Sequence, residues 1–195
     1  MSSLVRVSSW ARLGLAALLL GTACGKSEAS PVEHEPVQLD QTQRATMERL
    51  VGSWKHVGGA QEQDAALKAV EQATESMSSL IRGVARSRLE ETVRIDAVLS
   101  IAEDRGIVTI TRSEVPEPFV CSADGRERPT TTSDGDDAQA SLRIEADALV
   151  SKVVTDQGGG ERTHRIDEQG QLVITARTFS PRLPADVVYE ARYAR

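Results

Sequence analysis

The sequence predicts a mainly β domain, an up-and-down barrel or a sandwich of about ten short antiparallel strands, with a helical insert after the first strand. Three observations predict it. From Val93 onward apolar residues recur with period two, as in Ile95, Ala97, Leu99 and Ile101. Turn pairs such as Asp124-Gly125, Asp134-Gly135, Ala146-Asp147 and Gln169-Gly170 break that pattern at short, regular intervals. Ahead of it, residues 61–91 switch to a helical period.

The chain has 195 residues with 23 Lys plus Arg against 29 Asp plus Glu, a formal charge of −6. No stretch gathers basic residues into a patch that could track phosphates, so nucleic acid is excluded as a partner. Residues 1–23 carry Arg6 and Arg12, no acid, and the apolar run Leu13–Leu20, the pattern of a secretory signal too short for a stable membrane span. Gly21-Thr22-Ala23-Cys24 then closes the run. A cysteine directly after small residues at that point resembles the lipobox of bacterial lipoproteins. Gly21 holds the place usually given to Leu, with Leu20 one step earlier. The resemblance implies cleavage before Cys24, a diacylglyceryl group on its thiol and a fatty acyl group such as palmitate on the new amine. Gly25 after the cysteine implies an outer-membrane address, facing the periplasm or the exterior. Plain secretion is the alternative, since Gly21 and Ala23 also suit ordinary signal peptidase. Loss of 1–23 leaves a chain of charge −8, because both lost charges are positive. An acylated Cys24 leaves Cys121 as the sole thiol and an expected buried small hydrophobe; an unmodified Cys24 could pair with it in an oxidising compartment.

Residues 24–44 are polar, with Pro31 and Pro36, and read as a tether. His34 between Glu33 and Glu35 reads as a solvated charge cluster rather than a metal site. The domain proper is expected over 45–195. A short helix near Thr46–Leu50 leads into a first strand within Leu50–Val57, ended by Gly58-Gly59. Ala66, Val70, Ala73, Met77, Leu80 and Val84 form one apolar stripe along the insert, with Gly83 as its expected point of division. Ile107–Arg112 is joined to the preceding strand by a hairpin at Asp104–Gly106; Pro116 and Pro118 interrupt pairing before Phe119-Val120-Cys121. The runs 142–144, 149–155, 162–166, 172–178 and 187–195 supply further strands, with Gly158-Gly159-Gly160 read as a turn.

Gly52-Ser53-Trp54 on the first strand, a helical insert, a hairpin meander and a last strand ending Tyr189-Glu-Ala-Arg-Tyr-Ala-Arg195 together resemble the calycin superfamily. The strand–helices–strand opening is similar to the fatty-acid-binding proteins, and Gly-x-Trp to lipocalins. The resemblance covers residues 50–195 and implies a barrel. In such a barrel Gly52 permits close backbone approach, Trp54 covers the closed end, and Arg192 or Arg195 stacks on it. The same likeness implies a ligand carboxylate held by two arginines and a tyrosine, which map to Arg165 and Tyr193; the second arginine's place is taken by Ala191.

Two functions follow as expectations. One is a lipid-anchored envelope protein whose barrel binds a small hydrophobic or amphipathic molecule. The other is a structural lipoprotein with a filled barrel that docks an envelope partner, and cavity size separates the two. Ser133–Asp137 lacks the alternating ligands of a calcium loop and reads as a turn; His56 and His164 sit in no metal or catalytic motif. No cofactor, metal or catalytic residue is called for, and the protein is not expected to be an enzyme.

Overall fold

A computed structural model describes residues 34–132 and 135–195. The signal, Cys24 and the segment up to residue 33 lie outside the described residues, as do Ser133 and Asp134.

The described residues form helix α1 (Gln41–Leu50), strand β1 (Gly52–His56), helices α2 (Gly59–Thr74) and α3 (Ser79–Thr92), and then nine strands. These are β2 (Val98–Asp104), β3 (Ile107–Arg112), β4 (Val115–Ser122), β5 (Arg128–Thr131), β6 (Asp137–Glu145), β7 (Ala148–Thr155), β8 (Gly158–Ile166), β9 (Leu172–Phe179) and β10 (Val187–Ala194). All ten strands join one antiparallel sheet in the order β4-β3-β2-β1-β10-β9-β8-β7-β6-β5. The first and last strands pair at its middle, so the sheet curls into an up-and-down barrel wall with the helical insert after β1. The expected architecture is present.

Alternation fixes which side chains face inward. Trp54, Leu99, Ile101, Val108, Leu142, Leu149, Leu172 and Tyr193 bury themselves on the concave face with Met47 and Leu50 of α1. Asp40 caps α1: its carboxylate accepts from the Gln43 N–H (2.8 Å), while the Gln43 side chain accepts from the Asp40 N–H (3.0 Å). α1 sits over the β6–β7 turn, where the Thr46 hydroxyl donates to the Ala146 carbonyl (3.0 Å). This end is therefore plugged. Residues expected in the tether already belong to the barrel, because Leu39 and Val37 offer apolar groups that it buries. Val37 N–H donates to the Arg105 carbonyl (2.9 Å) and Ser122 Oγ to the Glu35 carbonyl (2.8 Å). Gly106, at φ 76°, has no room for a Cβ because the Val37 carbonyl occupies that space.

The insert departs from the single stripe. Ala66, Val70 and Ala73 of α2 bury against Val187 and Leu89, but the chain turns a corner at 75–78 rather than at Gly83. Arg82 Nη2 donates to the Met77 carbonyl (2.6 Å) and Arg86 Nε to Thr74 Oγ1 (3.1 Å), which holds the corner. Beyond it Leu80 and Val84 are exposed, since α3 runs on a new axis over the barrel mouth. Pro116 and Pro118 do not end β4: it is an edge strand, where missing N–H donors are tolerated, and the irregularity is a register shift between Ile110 and Arg112. Gly158–Gly160 belongs to β8, and the turn falls at Asp156-Gln157.

The two sheet edges are drawn together by Asp124, which bridges to Arg143 of β6 and accepts both Arg128 guanidinium nitrogens at 2.8 Å. That paired hydrogen bond from Arg128 holds the Asp124 carboxyl down to about 2. Its folded-state value lies below the ordinary 3.8, so the stabilisation is complete above about pH 4 and disappears as pH falls through 2. Asp124→Asn should therefore cost ~1–2 kcal/mol at pH 7 and only a small fraction of that at pH 2, in urea titrations at the two pH values. An equal loss at both pH values would contradict the assignment.

Candidate functional site

Above the apolar plug the barrel is hollow. A cavity of about 980 Å³ runs from Leu99, Ile110, Phe119 and Ile174 up to α3 and the β7–β8 and β9–β10 turns. Such a volume is in the range of small-molecule sites, and the packed interior of the structural alternative is absent.

Its walls are largely apolar and its polar groups converge at mid-depth. Strand register places Arg162, Ala176 and Tyr189 side by side on β8, β9 and β10, all facing inward. The Tyr189 hydroxyl lies beside the Arg162 guanidinium. From the opposite wall comes Arg112, at the end of β3 and paired across to Leu99. Asp96, only 6% exposed, places Oδ2 3.6 Å from Arg112 Nη1 and accepts the Glu114 N–H on Oδ1 (3.0 Å). Burial lowers the pKa of Arg112 and the charge of Arg162 lowers it further, while Asp96 opposes both. Arg162 has no carboxylate within ion-pair distance among the described residues. The mid-cavity cluster thus holds two cations and one anion, a surplus of one positive charge.

His164, one layer deeper on β8, is 1% exposed and donates through Nδ1 to the Leu149 carbonyl (3.2 Å). Burial pushes its pKa down to about 4, so the ring is neutral at pH 7. Tyr193 is also buried and lines the cavity; its ring meets His56 edge-on with centroids 5.4 Å apart, and burial pushes its phenol up.

Arg165 stands elsewhere. Its register position is on the outer face, where it is exposed and lies 3.5 Å from Glu190. The inward arginine of that strand is Arg162. Parity could have found it, since Arg162, His164 and Ile166 share one face and Ile166 is the apolar member. Arg112 carries the same signal, in phase with Val108 and Ile110. Asp96 carries no such signal, because alternation from Ile95 puts it on the mixed face, opposite the apolar one.

α2 is held against β1 and β10 through Glu62. Its carboxylate lies 3.0 Å from His56 Nε2 and accepts from the Arg192 N–H and guanidinium, both at 2.8 Å. Burial raises the Glu62 pKa, but these donors outweigh it and leave it below the ordinary value. A Cβ on Gly58 would collide with the Glu62 side chain. Arg192 is therefore committed to the helix, and Arg195 is the residue that stacks on Trp54, at 4.7 Å from the ring centroid. Gly52, at φ 144°, faces that Arg195 side chain. Cys121, on β4, is buried in the core, with its thiol pKa raised by burial.

No protein-family model and no curated protein sequence matches the chain. Solved structures similar to it include the apo form of Caenorhabditis elegans lipid binding protein 8, at 15% identity and TM-score 0.49, covering 76% of this chain and 96% of that one. Another is the REP1-NXSQ fatty acid transporter, at 16% identity and TM-score 0.47 over 76% and 96% of the two chains. A third is a zebrafish ileal bile acid-binding protein complexed with cholic acid, at 14% identity and TM-score 0.46 over 75% and 98%.

Proposed function

We propose that this chain is a lipid-anchored binding protein of the bacterial envelope whose barrel holds a small amphipathic acid. The observation that carries the reading is Arg162: a guanidinium inside an apolar-walled cavity, beside Tyr189, with no carboxylate partner among the described residues. A half-buried cation facing an apolar-walled cavity without a counterion is unfavourable, and a ligand anion supplies the missing partner. The head would rest between Arg162, Tyr189 and Arg112, and the apolar body against Leu99, Ile110, Phe119 and Ile174. Asp96 neutralises one arginine, so a singly charged head balances the cluster.

Native mass spectrometry of the purified chain, with calorimetric titration of hexadecanoate, tests this reading. A co-purifying acid or saturable 1:1 binding is expected; a chain that is empty as purified and gives no heat with hexadecanoate would overturn it.

The anchor is carried by Cys24 and its flanking residues, and the outer membrane is the proposed address. Cys24→Ala should move the protein from the membrane to the soluble fraction, and the mature N-terminus of the unaltered chain should carry the acyl mass. Retention of Cys24→Ala in the membrane fraction would remove the anchor from the proposal without touching the cavity.

A further inference from the structure

His164 adds a second requirement on the ligand, one that rests on the reading of the cavity as an acid-binding site. A carbonyl can only accept, so the 3.2 Å contact with Leu149 places the proton on Nδ1. Nε2 of the neutral ring is then a lone-pair acceptor. Among the described residues it makes no hydrogen bond. The inward side chains across from it on the neighbouring strands are Leu149 and Ile174, which have nothing to donate, and the ring lines the cavity. Nε2 is not sealed off from the cavity, so water can donate to it in the empty barrel; an apolar chain that displaces that water leaves the acceptor unmet.

We propose that Nε2 of His164 accepts a hydrogen bond from the bound ligand, which selects acids that also bear a hydroxyl or N–H donor. Arg162 and His164 are alternate residues of one strand face, so the donor would sit ~7 Å from the acidic head, on the plugged side of it. An unsubstituted acyl chain fills the volume but leaves the acceptor unmet. Specificity built on a buried polar group works in this sense, by penalising the analogue that lacks the matching donor.

The test compares hexadecanoate with hydroxyhexadecanoates substituted at successive positions from C2 to C10, by calorimetry on the full chain. Tighter binding by about ten-fold is expected for a hydroxyl some six carbons from the head. In His164→Leu the ratio between that acid and hexadecanoate should collapse to one. Because His164→Leu alters a buried site, the unaltered protein supplies a second reading through ¹⁵N NMR of its histidine rings. The Nε2 resonance of His164 should lie in the hydrogen-bonded range with the hydroxy acid and in the range of a bare acceptor with hexadecanoate. Binding of hexadecanoate with no gain from any hydroxyl, or an Nε2 resonance that is the same with both acids at saturation, would overturn this inference and leave the acid site standing. No binding by any of these acids would overturn the acid site itself.

Discussion

Trp54→Ala is expected to cost about 3–5 kcal/mol of folding stability, measured by urea unfolding followed by circular dichroism. The indole is 1% exposed and lies in one cluster with Met47, Leu50, Leu99 and Tyr193. Its Nε1 donates to the Leu50 carbonyl at 2.9 Å, so the ring also ties the end of α1 to β1. Above it lies the Arg195 guanidinium, which itself donates through Nη2 to the Arg49 carbonyl at 2.9 Å and the Val51 carbonyl at 3.1 Å. Alanine would remove the apolar volume, orphan a buried carbonyl and leave Arg195 with no ring to cover. Arg195→Ala should cost less, ~1 kcal/mol, because it loses a partly solvated cation–π contact and its carbonyl bonds while the indole stays buried. If the two variants lost the same amount, Arg195 rather than burial would be what holds Trp54 in place. A loss near zero for Trp54→Ala would deny that the plugged end is the core of the domain.

That end of the molecule was legible in the sequence because it obeys simple rules. Period two in β2, β3 and β9 and the Gly52-x-Trp54 motif all concern residues whose neighbours are apolar and whose polarity alone settles their side. The cavity was less legible, for a reason visible in β8. Arg162-Thr163-His164-Arg165 offers two arginines of opposite parity, and aligning to a family motif selects Arg165. A run of three glycines ahead of them conceals where the strand begins. The strand begins at Gly158, so Arg162 shares its face with His164 and Ile166. Asp96 was obscured differently. It precedes β2, in a segment where alternation has not started, and its burial is decided by Arg112 and the Glu114 N–H, partners from the next hairpin. Alternation describes a strand; it says nothing of a loop residue folded into the barrel mouth. The corner at residues 75–78 has the same character, since the apolar spacing continues through it while the axis does not.

Arg162→Gln is expected to weaken hexadecanoate binding about 30- to 1000-fold, equivalent to ~2–4 kcal/mol, in the same calorimetric titration. The size follows from where the contact is made: a charge-assisted bond in an apolar cavity is screened far less than one at the surface. Stability should move the other way. In the empty protein Arg162 depresses the pKa of Arg112 and answers to no carboxylate, so its removal relieves repulsion inside the barrel and should leave unfolding stability unchanged or raised. Arg112→Gln should behave otherwise, losing stability as well as affinity, because it leaves Asp96 buried beside no cation. The pair of variants therefore distinguishes a binding arginine from a structural one by the sign of the stability change. Arg165→Gln completes the comparison: on the outer face, 3.5 Å from Glu190, it should change hexadecanoate affinity by less than about two-fold. Should Arg165→Gln weaken binding as much as Arg162→Gln, the strand register that turns Arg162 into the cavity would be wrong by one residue, and the acid site with it.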